Sequence, residues 1–80
     1  MTDQLKKLYE QRAAVITQSR SLIDQADAVK DEARAAELET QADAGLAEAS
    51  ALDAKIERAE KLAKMEKRAQ EAEESQRATR

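Results

Sequence analysis

Two runs of apolar residues in this sequence, each spaced to line one face of a helix, stand in frames that do not match. The first holds Leu5, Leu8, Tyr9, Val15, Ile16, Leu22 and Ile23. With Leu5 as position a of a heptad, Leu8, Val15 and Leu22 fall at d, and Tyr9, Ile16 and Ile23 at e. The second run steps by four and three through Leu38, Ala42, Gly45, Ala49, Leu52, Ile56, Ala59 and Ala63. Its a positions include residues 35 and 42, so nine residues separate Ala26 from Ala35 where seven would keep the frame. Two extra residues turn an α-helix by about 200°. In one unbroken helix the stripes would face nearly opposite ways and each would need its own cover. A hairpin resets the phase in its loop, and each stripe then covers the other.

Composition supports helices throughout. Proline is absent, glycine occurs once, and a single Tyr is the only aromatic residue, so most sheet architectures are excluded. The fold class predicted is all-α: an antiparallel helical hairpin or coiled coil with a longer second helix, open to self-association. Thr2 or Asp3 can cap the first helix, expected over about 3–27. The loop falls at about 28–31, with Lys30 near the negative end of the first helix and Asp31 and Glu32 in the first turn of the second. The second helix is expected over about 32–70, making residues 1–70 one hairpin domain, and residues 71–80 read as a polar tail or linker. A rival helix start at Thr40, with its Thr-x-x-Asp box, is weak because the same pattern recurs inside convincing helix at Ser21 and Ser50.

Antiparallel pairing centred on residue 29 or 30 sets Leu22 near Leu38, Val15 near Gly45, Leu8 near Leu52 and Leu5 near Ile56. The expected seam is therefore Leu5, Leu8, Tyr9, Val15, Ile16, Leu22 and Ile23 against Leu38, Ala42, Gly45, Ala49, Leu52 and Ile56. Gly45 reads equally well as a point of close packing and as a tolerated helix glycine costing about 1 kcal/mol relative to Ala. Arg12 and Ser19 occupy a positions, where polar groups can set register. A covered stripe made of d and e positions would leave both at its edge, and that is the reading preferred here.

The residues available for chemistry are few. Without Cys there is neither a disulfide framework nor a thiolate zinc site, and without His the usual general base and metal ligand are missing. No catalytic, cofactor-binding or metal-ligating residue is assigned, and an enzyme is not expected. The charge is dense but mixed, with 14 basic and 17 acidic residues and a net charge of -3. Without a basic surplus or aromatic platforms, nucleic-acid binding is not expected. No apolar run approaches the roughly 20 residues of a membrane span, and no signal-peptide core opens the chain, so no membrane partner is expected.

Association is the remaining theme. Pairing uses up the first helix by about residue 56, and Leu62, Met65, Ala69 and Ala72 continue without cover on an overhang supported by Glu57/Lys61 and Glu60/Lys64 pairs. Leu62, Met65, Lys61 and Lys64 are the candidates for contact between copies. Charge also divides along this helix: Asp31 to Glu57 holds eight acidic and two basic residues, Lys55 to Arg68 six basic and three acidic. Such zones read as solvated faces or as complementary surfaces of neighbouring copies.

The stretches Leu52-Asp-Ala-Lys-Ile56-Glu-Arg-Ala-Glu-Lys-Leu62 and Asp43-Ala-Gly-Leu-Ala-Glu48, with the opening Leu5-Lys-Lys-Leu-Tyr-Glu-Gln-Arg-Ala-Ala14 and Ser21-Leu-Ile-Asp-Gln-Ala26, resemble the N-terminal delta, or scaffolding, domain of tailed-phage major capsid proteins of the Hong Kong phage type. The resemblance spans roughly residues 4–65. It departs from the family between the helices, where Val29 to Glu37 has neither the Gly-containing loop nor the Leu-Thr-x-Glu-Glu start, and at Ala42, Gly45 and Ala49, where larger residues are usual.

The resemblance implies a transient scaffold fused ahead of a shell domain. It would guide copies of the capsid protein into procapsid geometry inside the bacterial cytoplasm, and the maturation protease would then remove it, leaving it absent from the mature virion. Its implied partners are other copies of itself, that protease and the portal, and Arg77 to Arg80 would lie near the cut. The alternative expectation is a free-standing coiled-coil adaptor or regulatory subunit that takes a partner helix in a groove.

Overall fold

In a computed structural model, which describes residues 2–78, the chain is an elongated helical hairpin measuring 74 × 14 × 12 Å. Helix α1 spans Asp3–Ala28 and helix α2 spans Glu32–Ala78. A helix of 47 residues is about 70 Å long at 1.5 Å per residue, so α2 alone sets the length of the rod.

Each helix starts on a cap that the local sequence supplies. The Leu5 amide donates to Thr2 Oγ1 at 3.2 Å, and the Lys6 amide to the Thr2 carbonyl at 3.0 Å, so Thr2 rather than Asp3 is the N-cap of α1. Asp31 does the same for α2. Its carboxylate accepts from the Ala33 amide at 3.0 Å and its carbonyl from the Ala35 amide at 2.9 Å, which places it before the first turn rather than in it. Thr40 is inside α2, its hydroxyl turned back to the Ala36 carbonyl at 2.9 Å, and starts no helix.

The connection is Val29, Lys30 and Asp31, and it needs no glycine because no described residue has a positive φ. Val29 is extended, with φ -80° and ψ 140°, while its amide still closes onto the Gln25 carbonyl at 3.1 Å. The extended residue carries the chain past the end of α1, so α2 spends its first turn level with the loop before it meets α1.

That detour changes the register. Gly45 faces Ser19, where pairing about residue 29 or 30 had set Val15, and the antiparallel register is centred on residue 32. The slip is about one helical turn. It brings Thr2 level with Leu62, and the two side chains line one groove, so α1 covers α2 six residues beyond Ile56. The overhang begins past the half-buried Ala63 and is helical through Ala78; the polar stretch expected as a tail from residue 71 continues the helix, and Thr79 and Arg80 lie outside the described residues.

Because Asp31 satisfies an amide that the helix itself leaves unpaired, Asp31→Ala should destabilise the hairpin by about 1 kcal/mol. Thermal unfolding followed by circular dichroism should show a midpoint lower by roughly 4–8 °C for a chain of this size.

Candidate association site

The surface that the two helices bury between them is an a/d seam on both. On α1 the buried or half-buried residues are Leu5, Leu8, Arg12, Val15, Ser19, Leu22 and Ala26, at unbroken three- and four-residue steps, with Ile23 half-buried beside them. On α2 they are Ala35, Leu38, Ala42, Gly45, Ala49, Leu52, Ile56, Ala59 and Ala63, with Glu60 at the margin. The expectation of a d/e stripe is corrected here. Ser19 is only 1% exposed, whereas Tyr9 and Ile16 are 37% and 40% exposed and leave the seam.

Side-chain size is the reason. A Cβ placed on Gly45 would stand 2.2 Å from Ser19 Oγ and 3.5 Å from Ser19 Cβ, so the chain's single glycine makes room for the serine hydroxyl facing it. Close packing, not tolerance, explains Gly45. With Ala42 and Ala49 one step away on either side, α2 is narrow at its middle, and the register sets the larger Leu22 and Val15 of α1 opposite these alanines. The Ser19 hydroxyl is buried without a hydrogen-bond partner, which costs about 1–3 kcal/mol for a group that water would otherwise satisfy.

Two polar contacts tie the same side of the hairpin. Arg12 reaches from its a position to the rim and pairs through Nε with Asp53 Oδ1, both side chains about half exposed. The Tyr9 hydroxyl donates to Glu60 Oε1 at 2.7 Å. That hydrogen bond holds the Tyr9 phenol above its ordinary range, helped by partial desolvation and by the negative charge of Glu60, with Arg12 opposing. Glu60 therefore serves Tyr9 across the helices, and no ion pair among the described residues joins it to Lys64 or joins Glu57 to Lys61.

What stays uncovered falls on two faces. Tyr9 and Ile16 share the e side with Leu46, which is 47% exposed and was missed by the sequence reading; its place one residue past Gly45, off the four-three steps, was the available signal. The opposite side opens into a groove of about 610 Å³ between the start of α1 and α2, lined by Gln4, Leu8, Arg58, Ala59 and Leu62 among others. At its edge Leu62 is 56% exposed, beyond it Met65 is 58% exposed, and Lys61 and Lys64 stand in solvent next to them. Among the described residues no three acidic side chains converge as a metal site would need, and no helix is long and apolar enough to cross a membrane.

Comparison with known proteins returns no match: no family model, curated protein or solved structure is similar to this chain.

Two outcomes follow from this geometry. Ser19→Ala should raise stability by about 1 kcal/mol by removing the unpaired hydroxyl. Gly45→Ala alone should lower it by a similar amount, yet the double variant should exceed the wild type by about 1–2 kcal/mol, because the new methyl then meets only a Cβ at 3.5 Å and α2 gains helix propensity. Urea unfolding of the four proteins measures the cycle. Separately, the only Tyr titrates as a single tyrosinate absorbance band. Its midpoint should lie above 10.0 and return toward that value in Glu60→Gln. The raised value means that the contribution of this hydrogen bond to stability is complete below pH about 10 and is lost as pH rises through the folded-state midpoint.

Proposed function

We propose that this hairpin is a transient scaffolding domain of a viral major capsid protein, directing procapsid assembly through weak helix-helix self-association and then removed by the maturation protease. The observation that carries the reading is the overhang: Leu62 at its root and Met65 on it lie more than half exposed on a helix that runs on past the start of α1. The resemblance of residues 4–65 to the delta domain of phage capsid proteins gives that association module a setting, the interior of an immature shell in a bacterial host.

The energetics favour weak contacts. Ala and Gly occupy much of the seam on α2, so the apolar area buried per residue is small, and a two-helix chain of this length gains stability from neighbours. Contacts of this strength let misplaced subunits leave and rejoin, which regular shells require. In this reading the chain carries no catalytic, metal or cofactor site; its partners are further copies of itself, with the protease and the portal as later visitors. A free-standing adaptor would use the open groove beside Leu8 and Leu62 for one helix of a different protein.

Sedimentation of the chain from micromolar to millimolar concentration, at low and high salt, separates these readings. A scaffold should show mass rising with concentration and falling with salt, since charged zones screen within about 10 Å at 0.1 M. A strict, salt-indifferent monomer at millimolar concentration would overturn the proposal.

A further inference from the structure

The overhang carries a heptad of its own. Past Ala59, Leu62, Met65, Ala69 and Ala72 form one apolar stripe, whereas the frame that packs against α1 continues to the half-buried Ala63 and would then run through Glu66, Gln70 and Glu73. The apolar stripe thus steps back by one residue, which rotates it about 100° around the helix, away from α1. In the new frame Leu62 and Ala69 are a positions and Met65 and Ala72 are d positions. One flank then carries Lys61 and Arg68 at g, and the other carries Glu66 and Glu73 at e. All eight residues are exposed, and no ion pair among the described residues engages the four charges.

Charge arranged in this way selects an orientation. In a parallel pair of helices each g side chain meets the e side chain five residues on in its partner, so Lys61 would meet Glu66 of the second copy, and Arg68 would meet Glu73. An antiparallel pair sets g against g and e against e, which here is cation against cation and carboxylate against carboxylate.

We infer that the overhangs of two copies of this chain pair in parallel along Leu62, Met65, Ala69 and Ala72, with their charged flanks interlocked. The inference deepens the self-association reading above and rests on it, naming the occupant of the uncovered face as a second copy. α1 leaves room for the pairing: Leu62 and Glu66 border the groove beside its first turn yet stay exposed, and Met65, Ala69 and Ala72 lie clear of that groove. Toward the loop the new frame meets Arg58 and Lys55, so the zipper is confined to the overhang. Two heptads with Ala at half of the core positions make a short, weak, two-fold contact that leaves both hairpin bodies splayed apart and free to touch further copies.

The test uses the full chain, which has no native Cys. In Ala72→Cys a parallel pair sets the two thiols side by side at a d position, so a glutathione redox buffer should convert most of the protein to disulfide-linked dimer while helicity is kept. A second set checks the flanks. Lys61→Glu with Arg68→Glu gives an all-acidic pair of flanks, and Glu66→Lys with Glu73→Lys an all-basic one. Each alone should associate at least tenfold more weakly than wild type, and an equimolar mixture should recover association. Self-association of the wild-type chain, with no disulfide forming in Ala72→Cys and no response to the charge reversals, would overturn the parallel zipper and leave the scaffold reading standing. A chain that stays monomeric at millimolar concentration would overturn both.

Discussion

The approach of Gly45 to Ser19 is the constraint on which the hairpin turns. At that point the Ser19 hydroxyl fills the space that a Cβ on residue 45 would need, and this contact fixes the register of the other pairings. The register it sets spaces Leu5, Leu8, Val15, Leu22 and Ala26 against Leu38, Ala42, Ala49, Leu52 and Ile56. It also brings Arg12 within reach of Asp53 and Tyr9 within reach of Glu60. The price is a buried serine hydroxyl with no partner. Because α2 is narrow through Ala42, Gly45 and Ala49, the hairpin gains proximity rather than apolar volume, which fits a module of modest stability.

From the same register follows the division of the rod into a covered body and a free arm. α1 begins level with Leu62, and α2 runs on past it through Ala78. At that point the apolar stripe also leaves the seam frame, so the arm presents a face that α1 could not have covered even if it were longer. Two-helix packing and arm are thus separate devices on one helix, one directed inward and one outward.

Much of this was legible in the spacing of residues. The phase break between Ala26 and Ala35 argued for a hairpin without any Pro or Gly to mark the turn, and two helices joined by a short loop are what the chain forms. Thr2 or Asp3 could be named as the cap of α1 because a short oxygen-bearing side chain suits amides that a helix cannot pair itself, whereas Asp31, expected in the first turn for its charge, is the cap of α2. Leu62 and Met65 stood out because nothing in the sequence remained to cover them. The register was not legible, since it depends on Val29 being extended, and nothing in Ala28-Val29-Lys30 dictates that choice over one more turn of helix. Nor was the helical course from residue 71: the stretch lacks apolar spacing, but its Glu, Gln and Ala residues are strong helix formers and carry α2 on through Ala78.

The sequence by itself pointed to two antiparallel helices with the second outlasting the first, because periodicity, helix propensity and the phase break let each stripe cover the other, where one unbroken helix would need a separate partner for each. Only the tertiary structure decided which stripe of α1 is the covered one. Ranked by apolarity, Tyr9 and Ile16 outrank Arg12 and Ser19, yet Ser19 is buried and Ile16 stands in solvent. Apolarity measures how much a side chain gains by leaving water. Which side chain can leave it is set by the width of the gap, and that width belongs to the pair of helices.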